Sequence, residues 1–236
     1  MAHKPNILMK NLFEKLLVND RVAHESDVKL LTNARLTSDK ALFRALHDRS
    51  LKLEVRQAAC RVLGRGGGSQ ATRTLLDLLR RGDAGLTFEA AKSLIALEAN
   101  HDIPQISQIM MRGRTYRNRA AAAYVLGILG GGTASRSLVE VLNGTDTPEV
   151  RSHAAEALGH IADKNATESL MRGLRDRNAK VRLWSAFALG EIGDPRALPA
   201  LQQLALKDES IVPKIGTVSR EARRAIRRLK AKSKSS

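Results

Sequence analysis

A chain of 236 residues is long enough to bury a sizeable core, and with 43% hydrophobic residues but only 3% aromatics that core has to be built from Leu, Ala, Val and Ile. This weighs against a β-rich globular enzyme and suits closely packed helices, because Ala lets backbones approach at little cost in side-chain entropy. The net charge of +16 attracts nucleic acid, anionic lipid or an acidic protein surface; the single Cys60 excludes an intrachain disulfide, and no apolar run nears the roughly 18 residues of a membrane span.

The opening residues lead into a stretch from Ile7 to Val18 that is broken by Lys10, Asn11, Glu14 and Lys15. It reads as an amphipathic helix rather than a signal peptide. Residues 1–36 lack the repeat that fills the rest of the chain and are expected to form N-terminal capping helices, since the ends of a solenoid need a polar outer face. The sequons at Asn143 and Asn165 are turn and cap residues on this reading, and the protein is expected to be cytoplasmic.

From residue 37 the chain is self-similar. The run Val55 to Gly64 returns as Val150 to Gly159 and as Val181 to Gly190. Weaker copies run from Thr87 to Ala96 and from Asn118 to Gly127, and the last, Val218 to Arg227, is degenerate. The residues Leu63, Ile95, Leu126, Leu158 and Leu189 near the ends of the copies are spaced by 32, 31, 32 and 31. Within a copy, the first, fifth, eighth and ninth positions are small or aliphatic, which is the spacing of one buried helix stripe. Between copies lie second amphipathic segments, Lys40 to His47, Ala71 to Arg80, Ile103 to Met111, Ala134 to Leu142, Thr167 to Leu174 and Ala197 to Leu206, so each unit is a helical hairpin.

The punctuation agrees. Asp194-Pro195 reads as an N-cap followed by proline in the first turn, and Asn165 with Glu168 three residues on has the form of a capping box. Gly66 to Gly68 and Gly130 to Gly132 fall in inter-repeat turns, where glycine adopts left-handed backbone. No strand precedes them and no Gly-Lys-Ser/Thr follows, which argues against a phosphate loop.

The pattern Val-Arg-x-x-Ala-Ala-x-Ala-Leu-Gly-x-Ile-Gly-Asp, best preserved at Val181 to Asp194, resembles the HEAT-like repeat named after phycobilisome lyases. The resemblance covers residues 37–229 and implies an all-α, right-handed α-solenoid of about six hairpins, with the motif helices on the concave side; residues 230–236, by their composition, are expected to form a disordered basic tail. The resemblance also implies that Asp48, Asp83, Asp146, Asp176 and Asp208 in the turns, and Arg56, Arg119, Arg151 and Arg182 at the helix starts, form a stacking ladder. The Phe88 and Glu89 of the weak copy break the arginine pattern. Members of the family include bilin lyases, scaffolds and metal-dependent hydroxylases. The hydroxylases carry His-Glu dipeptides in several repeats, whereas this chain has only His24-Glu25, outside the repeats.

If the motif helices line the groove, their third, seventh and eleventh positions face it. On that stripe Tyr124, Leu183 and Phe187 are apolar, Trp184 lies one position away and Arg61 supplies charge; aromatics flanked by charge are common interface anchors. These five residues form the candidate contact site for a protein partner. A second set, Arg112, Arg114 and Arg117 with Arg220, Arg223, Arg224, Arg227 and Arg228, is suited to phosphates or an acidic partner. His153, Glu156 and His160 share a helix face, but one helix does not complete a metal site. Cys60 reads as a packed thiol. No catalytic constellation, metal or cofactor is assigned, and the function read from the sequence is a non-catalytic scaffold holding a protein partner in its concave groove. The alternatives are a nucleic-acid or ribonucleoprotein accessory protein that contacts phosphates through the basic segments, and a bilin lyase-like protein.

Overall fold

Each motif copy is apolar on one face, and each folds as an α-helix that buries that face. The computed structural model describes residues 25–36, 39–66, 68–81 and 85–233; the expected helix at Ile7 to Val18 and the ladder residue Asp83 lie outside them. In chain order the helices are α1 (25–33), α2 (Asp39–His47), α3 (Leu53–Gly66), α4 (Ser69–Arg81), α5 (Thr87–Ala96) and α6 (Ile103–Arg112). They continue as α7 (Tyr116–Leu129), α8 (Gly131–Asn143), α9 (Pro148–Ile161), α10 (Thr167–Gly173), α11 (Ala179–Ile192), α12 (Leu198–Lys207) and α13 (Val218–Ser233). Single 3-10 turns lead into α6, α10 and α12, and a short antiparallel hairpin, β1 (Ile211–Val212) with β2 (Gly216–Thr217), joins α12 to α13.

The helices form a two-layer, all-α repeat solenoid. The motif helices α3, α5, α7, α9, α11 and α13 pack each on the next, and α2, α4, α6, α8, α10 and α12 form the second layer. One apolar cluster runs unbroken from Leu31 of α1 to Leu229 of α13, built almost wholly from Leu, Ala, Val and Ile. Each Leu fully buried in it contributes about 1.5–3 kcal/mol.

Glycine at the tenth motif position sets the closeness of the stack. A Cβ on Gly127 would stand 2.9 Å from Ala157 Cα, one on Gly159 2.9 Å from Ala188 Cα, and one on Gly190 2.7 Å from Ala225 Cα. In every case the neighbour is the eighth position of the next copy, and what would be struck is backbone. Gly64 meets Ser93 in the same way, at 2.7 Å from its Cα. This corrects the sequence alignment of the weak copy by one residue: its first position is the buried Leu86, Leu94 rather than Ile95 takes the ninth, and Ile95 occupies the glycine position. There the copy places a buried isoleucine side chain where the other copies have only a glycine.

Among the described residues the ladder is seen from α7 onward. Arg119 donates to Asp146 at 2.8 Å, Arg151 to both oxygens of Asp176 at 3.0 and 3.1 Å, and Arg182 to both oxygens of Asp208 at 2.6 and 3.3 Å. Each aspartate also closes its own turn by accepting a backbone N–H one or two residues on, from Thr147, Asn178 and Ser210. The arginines reach back as well, Arg151 to the carbonyl of Asp146 and Arg182 to that of Asp176, so successive turns are linked in series. Earlier in the chain Arg56 caps α2 through the Leu46 carbonyl. At the start of α7 the buried Asn118 donates to the carbonyls of Leu79 and Arg80, tying α7 to α4.

Other local expectations shift. Asp163, not Asn165, caps the turn before α10 by accepting from the Asn165 N–H, so there is no capping box with Glu168. Asp194 does cap the turn at Pro195. Gly66 is helical, while Gly131 adopts φ +50°. Helix α13 runs to Ser233, four residues past Leu229, because Arg227 to Lys232 continue a favourable helical sequence. No helix among the described residues is long and apolar enough to cross a membrane.

Candidate functional site

The accessible row on the motif helices keeps the seventh and eleventh positions of the expected stripe but takes the fourth in place of the third, and most of its members are half-buried. The third positions Ala120, Ser152 and Leu183 are buried, because they pack toward a neighbouring helix. Leu183 in particular is 2% exposed in a small cluster with Val212 and Val218, and so offers no surface to a partner. The row is formed instead by the fourth, seventh and eleventh positions: Glu89, His153 and Trp184; Arg61, Tyr124, Glu156, Phe187 and Arg224; and Arg65, Ile128, His160, Glu191 and Arg228.

Most charge on this row is internally paired. Arg61 donates to both oxygens of Asp27 on α1 at 2.6 and 2.9 Å and reaches Glu89 on α5 at 3.5 Å, while Arg65 adds a second bond to Asp27 at 3.3 Å. Burial pushes the Asp27 carboxyl up, but the two guanidinium groups more than offset it and hold it below the usual carboxylate range. At the other end Arg228 bonds Glu221 at 3.0 Å and Glu191 at 3.1 Å, and Arg224 bonds Glu221 at 3.3 Å. These carboxylates, Asp27 on α1 and Glu89, Glu191 and Glu221 on the motif helices, are absent from the site read in the sequence. Their signal was there, since Glu89, Glu191 and Glu221 sit at fourth or eleventh positions.

Between the two ionic ends the row is aromatic. Tyr124 is half-buried, which raises its phenol pKa, and Lys92 and Glu156 act on it from either side with opposite sign. His153 Nδ1 lies 3.1 Å from Glu156. Phe187 is enclosed on three sides: His160 from α9 meets it edge-on at 5.7 Å, Trp184 at 5.3 Å, and the Arg228 guanidinium from α13 stands over its ring at 5.4 Å. Trp184 is packed between the main core and the Leu183 cluster, and its buried Nε1 has no acceptor among the described residues. The structure therefore brings Trp184 and Phe187 together and leaves Tyr124 two helices away.

The basic candidates fall in two places. Arg112, Arg114 and Arg117 are exposed at the junction of α6 and α7, where Arg117 stacks on Tyr116 at 5.1 Å. On α13, Arg220, Arg223, Arg224 and Arg227 are exposed and Arg228 is half-buried. Among the described residues no three His, Cys, Asp or Glu side chains converge as metal ligands. Cys60 is buried, and burial pushes its thiol pKa up to about 12 against the opposing hydrogen bond from Ser93, so it is a packing group. An open cleft of about 730 Å³ between α2 and α4, lined by Lys40, Phe43, Arg44, His47, Asp48, Gln70 and Thr74, likewise assembles no catalytic set.

Residues 135–219 match the HEAT repeats family. That span covers the stack from α8 to the start of α13, where the glycine contacts and the arginine-aspartate ladder are most regular. No curated protein matches the sequence. Among solved structures, an engineered protein is 22% identical over 83% of this chain and 100% of its own, with a TM-score of 0.49. Human deoxyhypusine hydroxylase in complex with glycerol is 21% identical over 81% of this chain and 73% of its own, with a TM-score of 0.46. A designed armadillo repeat protein in complex with the peptide (KR)4 is 16% identical over 80% of this chain and 98% of its own, at 0.46.

Proposed function

We propose that this HEAT-repeat chain is a non-catalytic scaffold that holds a protein partner against the exposed row of its motif helices, with Arg61, Tyr124, Trp184 and Phe187 at the contact. The observation that carries this reading is the composition of the row. Its arginines are already neutralised by Asp27, Glu89, Glu191 and Glu221, and what it presents between them is the half-exposed aromatic series Tyr124, His160 and Phe187. Aromatic anchors ringed by satisfied charge favour an apolar or amphipathic peptide segment over a highly charged one. The finer assignment of the repeats to the subgroup named after phycobilisome lyases, carried by Val181 to Asp194, belongs to this reading. It supports the scaffold without specifying its client.

Affinity purification of the tagged protein from its native cell, with nuclease present, tests it. A defined protein is expected with the parent chain and is lost with Tyr124→Ala/Phe187→Ala, while the helical circular dichroism stays unchanged. Equal recovery with the double variant would reject the site. A second reading, phosphate contact through Arg112, Arg114 and Arg117, is favoured by their exposure; it predicts recovery that disappears with nuclease and falls steeply with salt.

A further inference from the structure

The two flanks of α13 differ in how their cations are treated. On the flank toward α11, Arg228 and Lys232 are held by Glu191, and Arg224 and Arg228 by Glu221, which is itself 8% exposed. On the opposite flank Arg220, Arg223 and Arg227 follow one another at the three- and four-residue spacing of a single helix face, and all are exposed. Arg227 has no ion-pair partner among the described residues, and Arg220 donates to the Ile215 carbonyl at 2.7 Å rather than to a carboxylate. Arg223 donates to the Ala205 carbonyl and meets only Glu209, at 3.5 Å, in a pair whose side chains are 55% and 69% exposed. Such a pair neutralises little.

This flank is also unsuited to receive another helix. Arg227 stands at the tenth motif position, where Gly64, Gly127, Gly159 and Gly190 let the next motif helix approach to backbone contact. A motif helix stacked on this flank would meet that guanidinium in place of a glycine.

The same region carries unexplained apolar surface. Leu206 is 80% exposed and Ile211 73%, the highest values among the large hydrophobic residues described, and Ile215 is 38% exposed. They are tied to the cations directly: Arg220 is bonded to the Ile215 backbone, and Arg223 to the backbone of Ala205, next to Leu206. Lys207 and Lys214, also exposed, lie in the same segment.

We infer that this region of the molecule, the β1–β2 hairpin with the end of α12 and the outer flank of α13, docks on an anionic lipid bilayer. A phospholipid surface engages both features at once, with phosphate and carboxylate headgroups against the cations and the acyl boundary against Leu206, Ile211 and Ile215. A nucleic acid would engage the cations alone and leave the aliphatic side chains in water, and residues 206–233 contain no aromatic ring on which a base could stack.

The test is flotation of the full chain with vesicles of phosphatidylcholine alone and of phosphatidylcholine with about 30 mol % phosphatidylserine. Binding is expected only to the second. Arg227→Glu/Lys214→Glu should weaken it by at least about fivefold for each cation lost. Leu206→Ser/Ile211→Ser should weaken it comparably. Both pairs replace exposed side chains, so an unchanged thermal midpoint is expected and confirms that the fold is intact. Anisotropy of a labelled DNA duplex provides the opposing arm, in which the charge variant weakens binding and the aliphatic variant does not. Absence of binding to the anionic vesicles, or vesicle binding indifferent to Leu206→Ser/Ile211→Ser, overturns the proposal.

Discussion

The joints α7–α9, α9–α11 and α11–α13 are built from the same parts, whereas the joint α5–α7 uses none of them. Each regular joint has a glycine pressed on the backbone of the next helix and an arginine that spans to the next turn's aspartate. At α5–α7 the glycine position holds Ile95, the arginine position holds the buried Thr87, and the turn from Gly113 to Thr115 has no aspartate to receive a guanidinium. What binds α7 there instead is Asn118, reaching across to α4. The difference teaches that stacking of this kind has a local code of a few positions, and that a repeat can lose the code while keeping its apolar stripe. In a quasi-one-dimensional molecule the consequences stay local too.

The largest break of the comparison is Gly159→Val. The new Cβ would stand 2.9 Å from Ala188 Cα, and backbone cannot move aside as a side chain does. A loss of about 3 kcal/mol in urea denaturation is expected, at the upper end of overpacking. Ile95→Val at the equivalent place in α5 is expected to cost about 0.5–1.5 kcal/mol. Equal costs at the two places would show that the glycines do not set the stack.

Arg182→Ala comes next. The side chains of Arg182 and Asp208 are 16% and 12% exposed, so the cost falls between the surface and fully buried limits, about 2 kcal/mol. Burial raises the Asp208 carboxyl, but Arg182 and Ser210 more than offset it and leave it depressed. A depressed carboxylate gives stability that is present above its unfolded pKa and lost as pH falls through the folded one. The gap between parent and variant in denaturant midpoint should therefore be full at neutral pH and close in acid, below the ordinary carboxylate range; a gap independent of pH would assign the loss to packing.

The smallest expected effect sharpens the likeness of α9 and α11. Both end in a left-handed residue, Ala162 at φ 55° and Gly193 at φ 74°. Ala162→Gly should raise stability by about 0.5–1 kcal/mol, seen as a higher thermal midpoint, because only the alanine resists that backbone. A lower midpoint would mean that the Ala162 side chain contributes packing that outweighs the strain.

The hairpins were legible in the sequence because apolar periodicity and the Leu-Gly pair recur at nearly fixed spacing, and the Arg-Asp ladder was legible from Arg119 to Asp208 by resemblance. The purpose of the glycines was hidden, since a contact between the tenth position of one copy and the eighth of the next appears only when copies are stacked. For the same reason the weak copy was misaligned by one residue: Leu94 and Ile95 both satisfy the pattern, and only the approach of Gly64 to Ser93 separates them. Tyr124, Trp184 and Phe187 were picked by residue type, but the helix was taken to expose its third positions, and Leu183 is buried because Val212 of β1 and Val218 of α13 cover that side. The counter-ions Asp27, Glu191 and Glu221 were missed because a charge pairs across helices that lie tens of residues apart in sequence.

The irregular joint has a mechanical meaning. Elements stacked in a row deform like springs in series, and the extension of such a chain is governed by its most compliant member. At α5–α7 the arginine position holds Thr87 and the turn from Gly113 to Thr115 offers no aspartate, so among the described residues this joint lacks the ionic strut of the joints that follow it. Load applied to the two ends is expected to open this joint before α7–α9, parting the segment that carries Arg61 from the segment that carries Trp184 and Phe187.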